Sequence, residues 1–309
     1  MTKPAAVFTA LMILVLTLTG CTGSASEQLP KALSLYLTEQ KRIITVTRED
    51  YIAGCILAVA DPSFQPAALE AVGIACFTQA LYCSENSRGM EFMGADVSDD
   101  PAVCPAWTSP SQALDECDEK YAQRVLEAAG NAAGKYLEYE AAPAFTPVFR
   151  ASSGITDDGG LPYLPSLELP EDPDSPWYSA SCTVSAEYTR KALRQYTGSV
   201  ILPPQEADWF SDAEYTPAGT LLTIRFGGAV ITGEQLRDAF MLRSCAISIH
   251  GSGDEFTLTS RGSGGNIGMS AYSAERLARS GKSAEEILDF FFPGTSLREL
   301  PQNNFNKRC

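Results

Sequence analysis

The order of apolar and polar positions predicts most of the secondary structure. "LSLYL" (33–37) and "RIITVT" (42–47) flank the turn "TEQK" and predict two strands. From Arg48 the period lengthens. Ile52, Ile56 and Val59 fall on one face, which predicts a helix over 48–60. Thr47 suits its N-cap, and Asp50 in its first turn complements the helix dipole. "DPSFQP" breaks this helix. Pro66 then opens a second one to about Ser84, because proline tolerates the first helical turn. Its Leu69, Val72, Cys76 and Leu81 predict deep burial.

Residues 85–118 read as loop, with Pro101, Pro105 and Pro110, and 118–133 as a polar-faced helix. Residues 142–185 are rich in proline and glycine. A connection of that length in a compact domain is more often functional than idle. A short helix follows over 186–196. The period then becomes that of strands in "TLLTIRF", "GAVIT", "CAISIH" and "FTLTS", with a helix near 233–241. Two helices close the pattern, near 270–280 and 283–291, split by Gly281 and stopped by Pro293; Ser283 and Glu286 form a capping box. No internal repeat is visible. Strands and helices mix without regular alternation, which predicts an α+β fold: a mixed or antiparallel sheet, packed helices and long ordered loops.

Composition adds the setting. Of 309 residues, 45% are hydrophobic and 20% charged, as in an ordinary globular protein with a real core. The formal net charge of −15 argues against nucleic acid as a partner. Lys3 followed by "AAVFTALMILVLTLTG" has the order of a secretory signal. The run ends in "LTGC", which resembles the lipobox of bacterial lipoproteins. That resemblance implies cleavage before Cys21 and acylation of its thiol, placing the protein on the outer face of the cell membrane. An ordinary signal peptide or membrane anchor is the alternative. Residues 1–20 then form the signal peptide, 21–32 the lipidated cysteine and tether, 33–300 one domain, and 301–309 a tail. Outside the cytoplasm disulfides are permitted. Cys55 and Cys76 sit in apolar segments and read as buried thiols. Cys83, Cys104, Cys117 and Cys182 lie in polar surroundings, where one or two bridges are expected, with the connectivity open. Cys245 and Cys309 complete the set.

Candidate chemistry is sparse. The one histidine, His250, ends a strand, which disfavours Ser–His catalysis or a histidine-rich metal site. No cysteine pair has metal-finger spacing, and neither a metal nor a cofactor is expected. The carboxylates Asp61, Asp99–Asp100 and Asp157–Asp158 remain as acid–base candidates.

"EDYIAGCILAVADPSFQPAALEAVGIACFTQALY" (49–82) resembles the opening motif of the stage II sporulation protein D (SpoIID/LytB) family, which includes the amidase enhancers. Tyr51, Gly54, Ser63, Phe64, Pro66, Ala68, Leu69, Ala71, Ala75 and Thr78 fall in register. "ADVSDDPAVCPAW" resembles the family's middle loop, and "ASSGITDDGGLPYLPSLELPED" its Ser-Ser-Gly loop. "GGNIGMSAYSAERLARSGKSAEEILDFFFPGT" resembles its closing motif. The motifs occur in order across roughly 33–297. The resemblance implies an exported protein acting on peptidoglycan. Family enzymes include lytic transglycosylases, in which a glutamic acid protonates the leaving oxygen and the muramic 6-hydroxyl closes an anhydro ring. The partners implied are peptidoglycan glycan strands or an envelope or sporulation protein. Ser152, Ser153, Thr156, Ser270 and Tyr272 are the candidates to line a glycan cleft.

The match fails at the polar site positions. The family's catalytic glutamate falls on Val59, its arginine on Phe77, and its two site histidines on Arg150 and Gly265. Some clostridial members hold zinc in the middle loop; here the expected ligands fall on Ser98, Cys104 and Phe92. Losing the acid alone removes about 10²–10⁴-fold of acceleration. Two readings follow. One is a pseudoenzyme, a binding module built on the old cleft. The other is catalysis relocated to Asp61, or to Asp157 or Asp158.

Overall fold

The computed structural model describes residues 30–86 and 92–299. The signal segment, Cys21 with its tether as far as residue 29, and the 301–309 tail with Cys309 lie outside the described residues, and the last tether residue, Ala32, already belongs to the first strand. The chain opens with β1 (Ala32–Leu37) and β2 (Arg42–Thr47), an antiparallel pair, and runs into α1 (Arg48–Val59) and α2 (Pro66–Asn86). Thr47 caps α1 by accepting the Asp50 amide at 3.1 Å. Then come β3 (Val97–Ser98), parallel to β1, α3 (Pro110–Asp115), α4 (Glu119–Ala132), β4 (Lys135–Tyr139), β5 (Ala142–Pro143) and β6 (Val148–Phe149).

After a long irregular stretch come β7 (Ser179–Ser185), α5 (Ala186–Thr197), β8 (Phe210–Tyr215), β9 (Leu221–Phe226), β10 (Ala229–Thr232), α6 (Gly233–Phe240), β11 (Ala246–Ser252) and β12 (Glu255–Arg261). The chain returns through β13 (Met269–Ser270), α7 (Ala271–Arg279), α8 (Ala284–Phe291) and β14 (Ser296–Glu299). The fold is α+β, as the mixed periods predict. Its sheets are small, with orders β2-β1-β3, β10-β9-β8, β11-β12-β7 and β14-β4-β5, plus the pair β13-β6.

The predicted strands and helices of 33–84, 118–133 and 219–291 are present within a few residues. Two of the strands that escape the sequence pattern are β7, at the end of a segment read as loop, and β8, in a segment with no assignment. β7, "SASCTVS", has only Ala, Cys and Val to turn inward; it is a strand because β12 pairs with it along its whole length. β8, "FSDAEY", is mostly exposed and takes its order from β9. Strand propensity was overridden by cross-strand pairing in both.

Within 33–300, the described residues form two hydrophobic cores. The main core gathers β1, α1, α2 and α4 with α7 and α8. α2 is its axis. It is long and apolar enough to cross a membrane, but 78% of its most apolar window is buried inside the protein. The second core joins α5 and α6 to β7–β12, around the rings of Trp209, Phe210, Phe226 and Phe256, which meet tilted or edge to face. It forms a lobe inserted between β6 and β13.

The cysteine expectation needs correction. No disulfide joins any of the seven described cysteines. Cys83 and Cys104 are buried together rather than set in polar surroundings, with the Cys83 thiol also bonding the Val103 carbonyl at 3.3 Å. Cys117 packs on the main core and Cys182 on the lobe. Burial pushes the Cys55 thiol well up, as its neighbour Cys76 also does, while Cys245 is raised by burial to about 11.

Candidate functional site

The site is built where α1 ends. The last carbonyls of a helix lack intrahelical donors and attract cations. Arg150 meets that need. Its Nε and Nη2 donate to the Ala58 carbonyl at 3.1 and 2.6 Å. Tyr121 donates its hydroxyl to the Ala60 carbonyl at 3.0 Å, and burial pushes that phenol up. Val59 is buried in the main core, and Phe77 is fully buried on α2. The two positions that resemble the family's glutamate and arginine are thus apolar packing positions here.

Ala60 is extended, so Asp61 has left the helical rotation. Its Oδ2 accepts the Trp177 indole N–H at 3.2 Å. The Trp177 ring carries two guanidinium groups: Arg150 lies 4.3 Å from its centroid and Arg243 5.2 Å. An open depression of about 420 Å³ adjoins this cluster, with Asp61, Glu116, Cys117, Asp118, Tyr121 and Arg150 in its wall. Burial, then Asp118 and Glu116, raise the Cys117 thiol, which disfavours a thiolate nucleophile.

The closing motif faces the same region. Gly264 has φ +116°, and a Cβ there would stand 2.4 Å from the Cβ of Phe149. Gly268 has φ +85°, with the Pro147 carbonyl oxygen 2.4 Å from a built Cβ. These glycines let β13 pair in parallel with β6. Gly265 differs. No atom lies within 4 Å of where its Cβ would sit, and its φ is not left-handed. Gly265→His is therefore expected to change stability by no more than about 0.5 kcal/mol, whereas Gly268→Ala should cost well over 1 kcal/mol. Denaturant melts of both variants check this.

The remaining candidates are mostly bound into the fold. Ser152, Thr156 and Ser270 are buried. Ser152 Oγ accepts the Gly154 amide (3.0 Å), Thr156 Oγ1 the Leu167 amide (2.8 Å), and Ser270 caps α7 through the Ser273 amide (3.2 Å). Ser153 is half-buried, with its hydroxyl on the Ile155 and Ala218 carbonyls. Tyr272 is half-buried, its amide held by the Arg150 carbonyl at 3.0 Å. Asp157 is buried and accepts from Thr216, Thr220 and Asn266. Asp158 is exposed and accepts the Gly160 amide at 2.7 Å. Asp99 holds Thr38, Asp100 holds the Ala102 amide, and His250 is exposed on β11. At the middle loop, Phe92 is buried and the Ser98 amide donates to Cys104 Sγ at 3.4 Å, so these positions do not fit a zinc ligand set.

Four residues of the site escaped the sequence pattern. Trp177 and Arg243 meet Arg150 only through the long loop and the lobe. Asp172, fully buried, accepts the Ser152 amide at 2.5 Å and the Ser273 hydroxyl at 2.6 Å. Asn266, at φ +59°, accepts the Ser153 amide (3.1 Å) and donates to the Ile155 carbonyl (3.0 Å). Asn after two glycines is a legible sign of a left-handed turn.

A core helix, an Arg-capped helix end and a glycine-led turn paired with β6 frame the site. Residues 36–139 match the family model described as stage II sporulation protein. The chain is 25% identical to stage II sporulation protein D of Bacillus subtilis (strain 168) over 280 residues, covering 87% of this chain and 80% of that protein. It is 27% identical to stage II sporulation protein D of Bacillus amyloliquefaciens, covering 88% of this chain and 80% of that one. A 59-residue stretch, 19% of this chain and 8% of its match, is 36% identical to an amidase enhancer of Bacillus subtilis (strain 168). The family model and these relatives support membership of the stage II sporulation protein D family and a role related to sporulation and the cell wall.

Proposed function

We infer that this protein is a lipid-anchored member of the family, held by Cys21 on the outer face of the cell membrane, that binds glycan strands or an envelope partner without cleaving them. The observation that carries this reading is the end of α1. Val59 is buried where the resemblance places the general acid, and Arg150, locked onto the Ala58 carbonyl, stands where it places a histidine. General-acid catalysis needs a carboxyl that can reach a leaving oxygen. Of the acids nearby, Asp61 is engaged by Trp177, and Asp157 is clamped by three donors.

The test is incubation of the soluble protein with amidase-stripped glycan strands, read by mass spectrometry. The expected result is retention of the strands on the protein with no anhydro-muropeptide. Anhydro products that vanish in Asp61→Asn would instead establish catalysis relocated to Asp61.

A further inference from the structure

Resting on the reading that the protein works outside the cytoplasm, we propose that Cys83 and Cys104 are a cross-linking site, joined by oxidation into a disulfide that ties the middle loop to α2. Two pairs of thiols hydrogen-bond in the main core: Cys55 with Cys76, and Cys83 with Cys104. The first pair lies mid-helix, where α1 packs on α2, and both members are fully buried. The second lies at the rim of the core. Cys83 is in the last turn of α2, and Cys104 follows β3 in a loop whose Val103 is 44% exposed. An oxidant reaches this pair when one loop lifts, but the other only when two helices part.

Both sulfurs are already held in place. Cys83 Sγ donates to the Val103 carbonyl at 3.3 Å and accepts from Gln79 Nε2 at 3.8 Å. Gln79 is itself fixed, because its Oε1 accepts the Thr146 amide at 2.8 Å. Cys104 Sγ accepts the Ser98 amide at 3.4 Å, and the Cys104 amide donates to the Asp100 carbonyl at 3.0 Å. Oxidation replaces the thiol contact by a covalent bond of about 2.05 Å. In the folded protein the contact with Cys104, then burial, push the Cys83 thiol far above its usual range, so thiolate attack is slow there. The bond therefore forms while the loop is still open and both thiols ionise normally. One thiolate attacks a sulfur of a disulfide oxidant, either oxidised glutathione or a disulfide-bonded thiol oxidoreductase, and displaces one thiolate of that oxidant. The second cysteine attacks the mixed disulfide and displaces the other. Two electrons pass to the oxidant, and its two released thiolates take up the two protons. The bond closes a loop of roughly 20 residues, which narrows the unfolded ensemble. Trp107 and Thr108, which meet α1 at Gly54, lie just beyond Cys104 and are held with it.

Refolding tests this. Reduced, urea-unfolded soluble protein is refolded in a mixture of oxidised and reduced glutathione, alkylated in denaturant, and digested without reductant. Mass spectra should show a peptide pair joining Cys83 to Cys104. The Tm should lie roughly 5–10 °C above that of protein refolded with reductant. Cys83→Ser and Cys104→Ser should each lose this difference, and Cys182→Ser should keep it. Alkylated Cys83 and Cys104 in the digest of the unsubstituted protein, or cross-links that join other cysteines instead, would overturn the site whether or not the variants fold. A second arm takes the full chain from cells quenched in acid before lysis and alkylated in denaturant. The same peptide pair is expected there. A bond made on refolding, with both cysteines alkylated in the quenched cells, would overturn the extracytoplasmic reading while leaving the chemistry of the pair intact.

Discussion

Asp157→Ala is expected to destabilise the protein by about 3 kcal/mol, because a donor left without its acceptor costs roughly 1–3 kcal/mol when buried and less when half-buried, as Thr216 and Thr220 are. Three donors lose it at once: the Thr216 and Thr220 hydroxyls from the lobe and the Asn266 amide from the closing motif. Asp157 is the tie between lobe and motif. Asp158→Ala removes only an exposed bond to the Gly160 amide and should cost about 0.5 kcal/mol or less. Urea melts of the two variants separate a structural acid from a catalytic one. An Asp157→Ala protein with unaltered stability would argue that the carboxylate is kept for chemistry instead.

Gly54→Ala is the second large effect. A Cβ at Gly54 would lie 2.2 Å from the Trp107 indole nitrogen and 2.5 Å from the Thr108 carbonyl oxygen, closer than any real contact. The Thr108 amide meanwhile donates to the Gly54 carbonyl at 3.3 Å, so the middle loop is pinned directly on α1. One methyl group must displace that loop, and overpacking of this kind costs about 1–3 kcal/mol. Circular-dichroism melts should show the loss, and Trp107 fluorescence should change with it. A variant that melts like the parent would mean the loop moves freely off α1.

These two residues show what a single sequence makes legible. Gly54 lies in a motif whose order is readable, and its role follows from a helix that must touch a loop. The helix of α1, its Thr47 cap and the Ser283–Glu286 box were readable because they depend on neighbours a few positions away. Asp157 looked like a loop acid because its partners lie 59, 63 and 109 positions along the chain. Trp177 and Arg243 were invisible for the same reason. The pattern also misplaced emphasis on Ser152 and Thr156, whose hydroxyls are used on local backbone. Polar side chains in a glycine-rich loop serve the loop's own shape before any ligand. The substitution of Glu by Val at position 59 of the family frame, by contrast, was readable directly, and its burial gives it a physical meaning.

The inserted lobe has a further consequence for how the chain is assembled. Ser179 at its entry pairs with Arg261 at its exit, and the Gly262 amide bonds the Tyr178 carbonyl at 2.5 Å. The lobe is thus a cassette with its two ends side by side, whose strands and helices are supplied by one unbroken segment. The main core is the opposite. Glu275 on α7 seals the start of α2 by accepting the Gln65 amide at 2.5 Å, across 210 positions of sequence. A chain emerging N-terminus first therefore holds every part of the cassette before it holds the helices that close its own main core.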